Sequence, residues 1–275
     1  MHLSALRLPM FFLITLAAAA GACAQAREEA RLLVASQVLE ELRSQRDQMI
    51  PDRLLERAYG IVVVPEVIKA GLIVGGRAGR GVLVVRDEQG HFSNPVFVRL
   101  AGGSFGWQAG VQETDVVLVF TTRRGVEGIT DGKLTLGADA SVAAGPVGRQ
   151  ASAATDASFS AEVYSYSRNR GLFAGVALDG SALTIDRKAN ASFYGKPQVV
   201  ASDIIAGTVT SHSEMTQRFL KAVATSTSPE VRPGAESPAS APAAVSAPPA
   251  ESTEAPSKTR SFPMEDPHPG SEPKR

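Results

Sequence analysis

The middle of this chain decides what it can fold into. There, short β-branched or aromatic runs at 61–64, 71–74, 82–85, 96–100 and 116–120 are separated by Gly, Pro, Asp or Asn. Runs of four or five residues are too short for helices, and their Val-rich content suits strands, so they predict an antiparallel sheet. Asp87-Glu88-Gln89-Gly90 predicts a hairpin turn, because glycine takes the positive φ that closes such a loop. Glycine recurs at Gly71, Gly75, Gly76, Gly79, Gly81, Gly102, Gly103, Gly106 and Gly110. Inside strands it marks bulges, corners and close backbone approach, which predicts a strongly curved or partly closed sheet.

The flanks of this core read differently. From Arg27 to about Gln48, Leu32, Ala35, Leu39 and Leu42 recur at three- and four-residue spacing, with Arg31, Gln37, Glu40, Glu41 and Arg43 between them, which predicts an amphipathic helix. Pro51 and Asp52 open a second, short one. Residues 122–129 predict a helix capped by Thr122. Strand-like segments resume at 134–144, 161–167, 172–178 and 182–185, and two helices close the pattern at 202–206 and 213–224. The fold class expected is α+β: a strongly curved, glycine-rich antiparallel β-sheet or partial barrel with flanking N- and C-terminal helices.

Neither end belongs to that core. Of the 275 residues, 1–26 (MHLSALRLPMFFLITLAAAAGACAQA) have a sparse basic start, an apolar run and then small residues, the pattern of a secretory signal peptide. Ala24-Gln25-Ala26 offers an ordinary cleavage site that would release a periplasmic protein beginning at Arg27. Ala20-Gly21-Ala22-Cys23 resembles a lipobox, which would instead give an outer-membrane lipoprotein acylated at Cys23. The apolar run is shorter than the ~20 residues a spanning helix wants. Cys23 is the single cysteine, which excludes an internal disulfide or cysteine-based metal site. Residues 225–275 are rich in Pro, Ala and Ser and too poor in large apolar side chains to offset their ordering entropy, so they predict a disordered tail. The domain is thus expected over 27–224. The chain's 28 basic and 28 acidic residues balance, which gives nucleic acid no electrostatic footprint.

Several short motifs invite chemistry. The segment Gly75-Gly76-Arg77-Ala78-Gly79-Arg80-Gly81 runs into Val82-Leu83-Val84-Val85, a strand, whereas a phosphate loop must open a helix. Gly102-Gly103-Ser104-Phe105-Gly106 fits GxSxG, and Asp115, Asp203 and His212 come after it in triad order. The nucleophile elbow, however, needs a strand-to-helix turn on a parallel sheet, and no such alternation surrounds Ser104. His91 and His212 stand in unlike settings without metal-ligand spacing. Asp115, Asp131, Asp139 and Asp179 sit beside glycine or threonine, as turn residues do. No enzymatic activity, cofactor or metal is expected. More informative are Lys69, Arg77, Arg80, Arg149, Arg168 and Arg170, each flanking a Gly-rich or turn segment where a cation meets an anionic head group or simply solvates the surface.

Read in order, VIKAGLIVGGRAGRGVLVVR, FSNPVFVRLAGGSFGWQAGVQETDVVLVF, LTLGADASVAAGPVGR, YSYSRNRGLFAGVALDGSAL, ANASFYG and DIIAG resemble the SYLF domain family over roughly Leu54 to Gly207. The chain departs from the common pattern at His91-Phe92-Ser93, where many members carry tryptophan before the serine. The resemblance implies phospholipid binding, with phosphoinositides in eukaryotic members and actin in some fungal ones, and no catalysis. By motif position it carries Lys69, Arg77, Arg149, Arg168 and Arg170 over as lipid contacts. Export would take actin and phosphoinositides out of reach and leave an envelope phospholipid. The expected function is therefore a non-catalytic phospholipid-binding protein of the bacterial cell envelope. The alternative is an adaptor that self-associates or binds an envelope protein.

Overall fold

The glycine-spaced runs form one sheet. The structure, a computed structural model, describes residues 7–44, 50–71, 74–105, 110–146, 160–169 and 172–228, all within the unit Met1–Val231. Nine described strands are β1 (Gly60–Gly71), β2 (Val74–Val85), β3 (Val96–Phe105), β4 (Gly110–Phe120), β5 (Lys133–Thr135), β6 (Val142–Ala144), β7 (Val163–Asn169), β8 (Leu172–Gly175) and β9 (Ser181–Ile185). Their order is β5-β9-β3-β2-β1-β4-β7-β6, with β8 also on β7. The helices are α1 (Arg7–Ser44), α2 (Asp52–Glu56), α3 (Arg123–Thr130), α4 (Arg187–Tyr194), α5 (Ala201–Ile205) and α6 (Glu214–Thr227). The architecture is α+β with a strongly curled half-barrel sheet, as expected. None of the described helices is long and apolar enough to cross a membrane.

The central strands carry apolar runs rather than clean alternation because the sheet is covered on both faces. Ile61, Val63, Val82, Val84, Phe97, Val117, Val119 and Tyr166 point toward the Leu32, Leu39 and Leu42 stripe of α1, Phe193 of α4 and Phe219 and Val223 of α6. The opposite set, with Val62, Leu83, Val98, Leu118 and Phe120, packs with Val126 and Ile129 of α3 and Ile204 of α5. Each face thus buries its own core, and every second residue along a strand changes face.

Two features curl the sheet. Register shifts between Val64 and Val67 mark a bulge in β1, where Glu66 holds φ at 54° and donates its backbone N–H to Asp115 Oδ1 at 3.0 Å. Opposite the bulge, a Cβ at Gly81 would lie 2.5 Å from the Val63 carbonyl oxygen, and one at Gly79 would lie 2.7 Å from Val64 Cγ1. Only glycine lets the strands approach so closely.

The structure departs from expectation at five places. The run at 71–74 ends one strand and begins the next, because β1 continues through its bulge instead of stopping at Pro65. The segment 134–144 divides into β5 and β6 at opposite ends of the sheet path, and β6 runs parallel to β7. α4 was not anticipated. α1 begins at Arg7 rather than Arg27 and ends at Ser44. Finally, α6 extends past Ala224 and buries Ser226 and Thr227. The hairpin turn at Asp87–Gly90 is present: Gly90 has φ 87° and its N–H donates to the Asp87 carbonyl at 3.1 Å.

Candidate functional site

The four candidate cations among the described residues, Lys69, Arg77, Arg80 and Arg168, do not form one cluster. Arg149 and Arg170 lie outside the described residues. Lys69 and Arg77 are cross-strand partners on β1 and β2, and strand alternation puts them on the face covered by α3. Arg77 Nη1 donates to the Ala177 carbonyl at 3.3 Å, while its buried Nε has no hydrogen-bond partner among the described residues. Burial lowers the pKa of this guanidinium, and Asp179 opposes the shift.

Arg168 is a structural cross-link. Its Nε donates to Asp115 Oδ2 at 2.6 Å, and it also pairs with Glu41 of α1. One guanidinium thereby ties β7, the carboxylate that braces the β1 bulge, and the first helix. Asp115 accordingly lies within β4 rather than in a turn. Asp139 does act as a turn residue, accepting from the Thr135 N–H at 2.6 Å.

Arg80 occupies the α1-covered face, and three further arginines meet it there. Register places Arg80 directly opposite Arg99 of β3, while Arg27 and Arg31 of α1 line the same cleft of about 710 Å³. Like charges directly opposite each other destabilise a sheet unless something offsets them. Arg99 has its offset: Nε and Nη2 donate to Asp186 at 2.7 and 3.0 Å. Burial alone would raise the Asp186 pKa, but these bonds, the Ala189 N–H and nearby Arg31 hold it below the usual carboxylate range. Arg31 is nearly buried, pairs with Glu28 at 2.7 Å and lies 5.4 Å from the centre of the Phe97 ring. Desolvation raises the Glu28 pKa and lowers that of Arg31. Arg27 and Arg80 are exposed and make no ion pair or hydrogen bond among the described residues. Small and apolar residues, Ala30, Val34, Ile68, Ala78 and Ala101, line the rest of the cleft. Ile68 is 51% exposed.

Arg27, Arg31 and Arg99 were missed at the level of sequence. The spacing of α1 placed Arg31 among polar, solvent-facing positions, whereas Glu28 three residues earlier lets it be buried as a pair. The locatable signal was Arg99 two residues along from Phe97, at a strand position facing α1.

The serine of the GxSxG motif sits in a strand. Ser104 lies in β3, paired with Gly75 of an antiparallel neighbour, so its backbone is a strand and not an elbow. The segment 75–81 likewise lies wholly in β2. His91 and His212 are exposed, and no group of three or more metal-ligating side chains comes together among the described residues.

Known proteins share much of this sequence. Residues 101–226 match the Ysc84 family model, described as a Las17-binding protein actin regulator. Over 166 residues the chain is 42% identical to LAS seventeen-binding protein 3 of Saccharomyces cerevisiae, covering 59% of this chain and 36% of that one. Protein YSC84 of the same organism is 43% identical over 152 residues, 54% of this chain and 32% of its own. The SH3 domain-containing YSC84-like protein 1 of Xenopus laevis is 37% identical over 164 residues, 59% of this chain and 49% of its own. The chain thus spans 32–49% of the length of these curated relatives, the first of which is named as a binding protein. All four cleft arginines precede the segment that the family model matches.

Proposed function

Because the chain carries a domain of the Ysc84/SYLF family, we propose that it is a non-catalytic binding protein that meets anionic phospholipid at a bacterial cell envelope after export. The observation that carries this reading is the α1-covered sheet face, where Arg27 and Arg80 stand exposed and unpaired among the described residues, beside exposed Ile68. An exposed cation next to apolar surface suits a lipid interface, since each basic group near an anionic membrane contributes about 1 kcal/mol. Removal of the leader ahead of Arg27 would add an α-ammonium group at the same place, and acylation of Cys23 would tether that face to the membrane.

The relatives' names support a second reading, in which the domain is an adaptor for a protein partner. Flotation with vesicles of anionic and of zwitterionic lipid separates the two. Binding to anionic vesicles alone, weakened by added salt, is the expected result. Indifference to both vesicle types, together with self-association in light scattering, would favour the adaptor.

A further inference from the structure

Resting on the lipid-facing reading above, we propose that the cleft between α1 and the sheet is a site for one single-chain anionic amphiphile, with its head group between Arg27 and Arg80 and its chain along the apolar walls. The charges point to an anion. Four guanidinium groups line the cleft, and Glu28 and Asp186 are engaged with Arg31 and Arg99. Glu66 also lines it, but makes no ion pair with Arg27 or Arg80 among the described residues. Glu28 also lies near enough to feel Arg80 and Arg27, but its one direct ion pair is with Arg31, so Arg80, opposite Arg99, shares a single carboxylate with two other arginines. A phosphate or carboxylate accepting from Arg27 and Arg80 would supply a further counter-charge through charge-assisted hydrogen bonds.

The walls point to a single apolar chain. Ile68, Ala78 and Ala101 form one cross-strand row beside Arg80 and Arg99, kept low by its two alanines, and Ala30 and Val34 of α1 also line the cleft. The volume of about 710 Å³ falls in the range of small-molecule sites, ~300–1,000 Å³. A site of this shape would take an amphiphile out of a membrane one molecule at a time, which a flat basic surface does not do.

The test is calorimetric titration of the full chain with dodecyl phosphate below its micelle concentration, with inorganic phosphate and dodecyl maltoside as separate arms. The inference predicts one molecule of dodecyl phosphate per chain and a much weaker response to either other ligand. It also predicts about tenfold weaker binding in Arg80→Gln, the loss of one charge-assisted contact. Ala101→Phe, which fills the cleft from an exposed position, should abolish uptake while leaving the circular dichroism spectrum unchanged. Equal binding of dodecyl maltoside, or of inorganic phosphate, would overturn the inference, as would an Ala101→Phe variant that binds normally. Vesicle flotation separates this outcome from the reading beneath it. Flotation on anionic vesicles without dodecyl phosphate uptake overturns the cleft alone, and uptake without flotation supports the cleft and counts against the membrane-surface reading.

Discussion

Asp186 carries more of the fold than its place in the sequence shows. It caps α4 by accepting from the Ala189 N–H at 3.2 Å, and it neutralises Arg99 from 87 residues away. Asp186→Ala should destabilise the domain by about 2–3 kcal/mol, a lost cap plus an unpaired charge, and Asp186→Asn by less, because the amide can still cap. Urea denaturation measures both. Since the folded-state pKa is depressed, the contribution is present at neutral pH and lost as pH falls from about 4, the unfolded value, through the lower folded one. The acid limb of the wild-type stability curve should therefore be steeper than that of Asp186→Asn below that pH. Glycines provide a second contrast. Gly81→Ala brings a Cβ against the Val63 carbonyl and should destabilise by about 1–3 kcal/mol, whereas Gly103→Ala, with nothing within 4 Å of the added carbon, should stay within about 0.5 kcal/mol of wild type. Equal effects would remove close approach as the reason for Gly81.

Elements were legible where local chemistry decides them. The Asp87–Gly90 turn, the Thr122 cap and the α1 stripe each rest on residues a few positions apart. Where distant partners decide, local pattern misleads. Pro65-Glu66 reads as a strand end, yet the bulge is held by Asp115, 49 residues on. α4 was hidden because its buried face includes Asn190, whose side chain exchanges hydrogen bonds with the Phe97 backbone at 2.9 Å in each direction, so a core position looks polar. The end of α6 is masked in the sequence for a similar reason: Ser226 and Thr227 are polar but buried, with Thr227 Oγ1 donating to the Val223 carbonyl at 3.0 Å. A chain ending at Ser228 should keep the thermal midpoint of the longer one, because the Pro- and Ala-rich residues 229–275 lack the large apolar side chains to build a core. A chain ending at Ala224 should melt several degrees lower, as a loss of ~1 kcal/mol does in a domain of this size. Equal midpoints for those two truncations would mean that the last turn of α6 contributes nothing.

On the scale of the whole molecule, the sheet separates cations that lie close together in sequence. Alternation puts Lys69 and Arg77 on one face and Arg80 on the other, so cations only a few residues apart cannot act on one flat surface. The motif positions alone could not reveal this, because the β1 bulge changes which residues share a face, and because the cleft needs α1, whose cations look like ordinary helix polarity. We propose above that the α1-covered face meets lipid. The decisive measurement is flotation on anionic vesicles of the wild type beside two double variants, Arg27→Gln with Arg80→Gln and Lys69→Gln with Arg77→Gln. Each pair removes two basic groups, worth together ~2 kcal/mol or more than tenfold in affinity if both touch lipid. The first variant should lose most of its binding and the second should float like wild type; loss in the second with none in the first would contradict the claim.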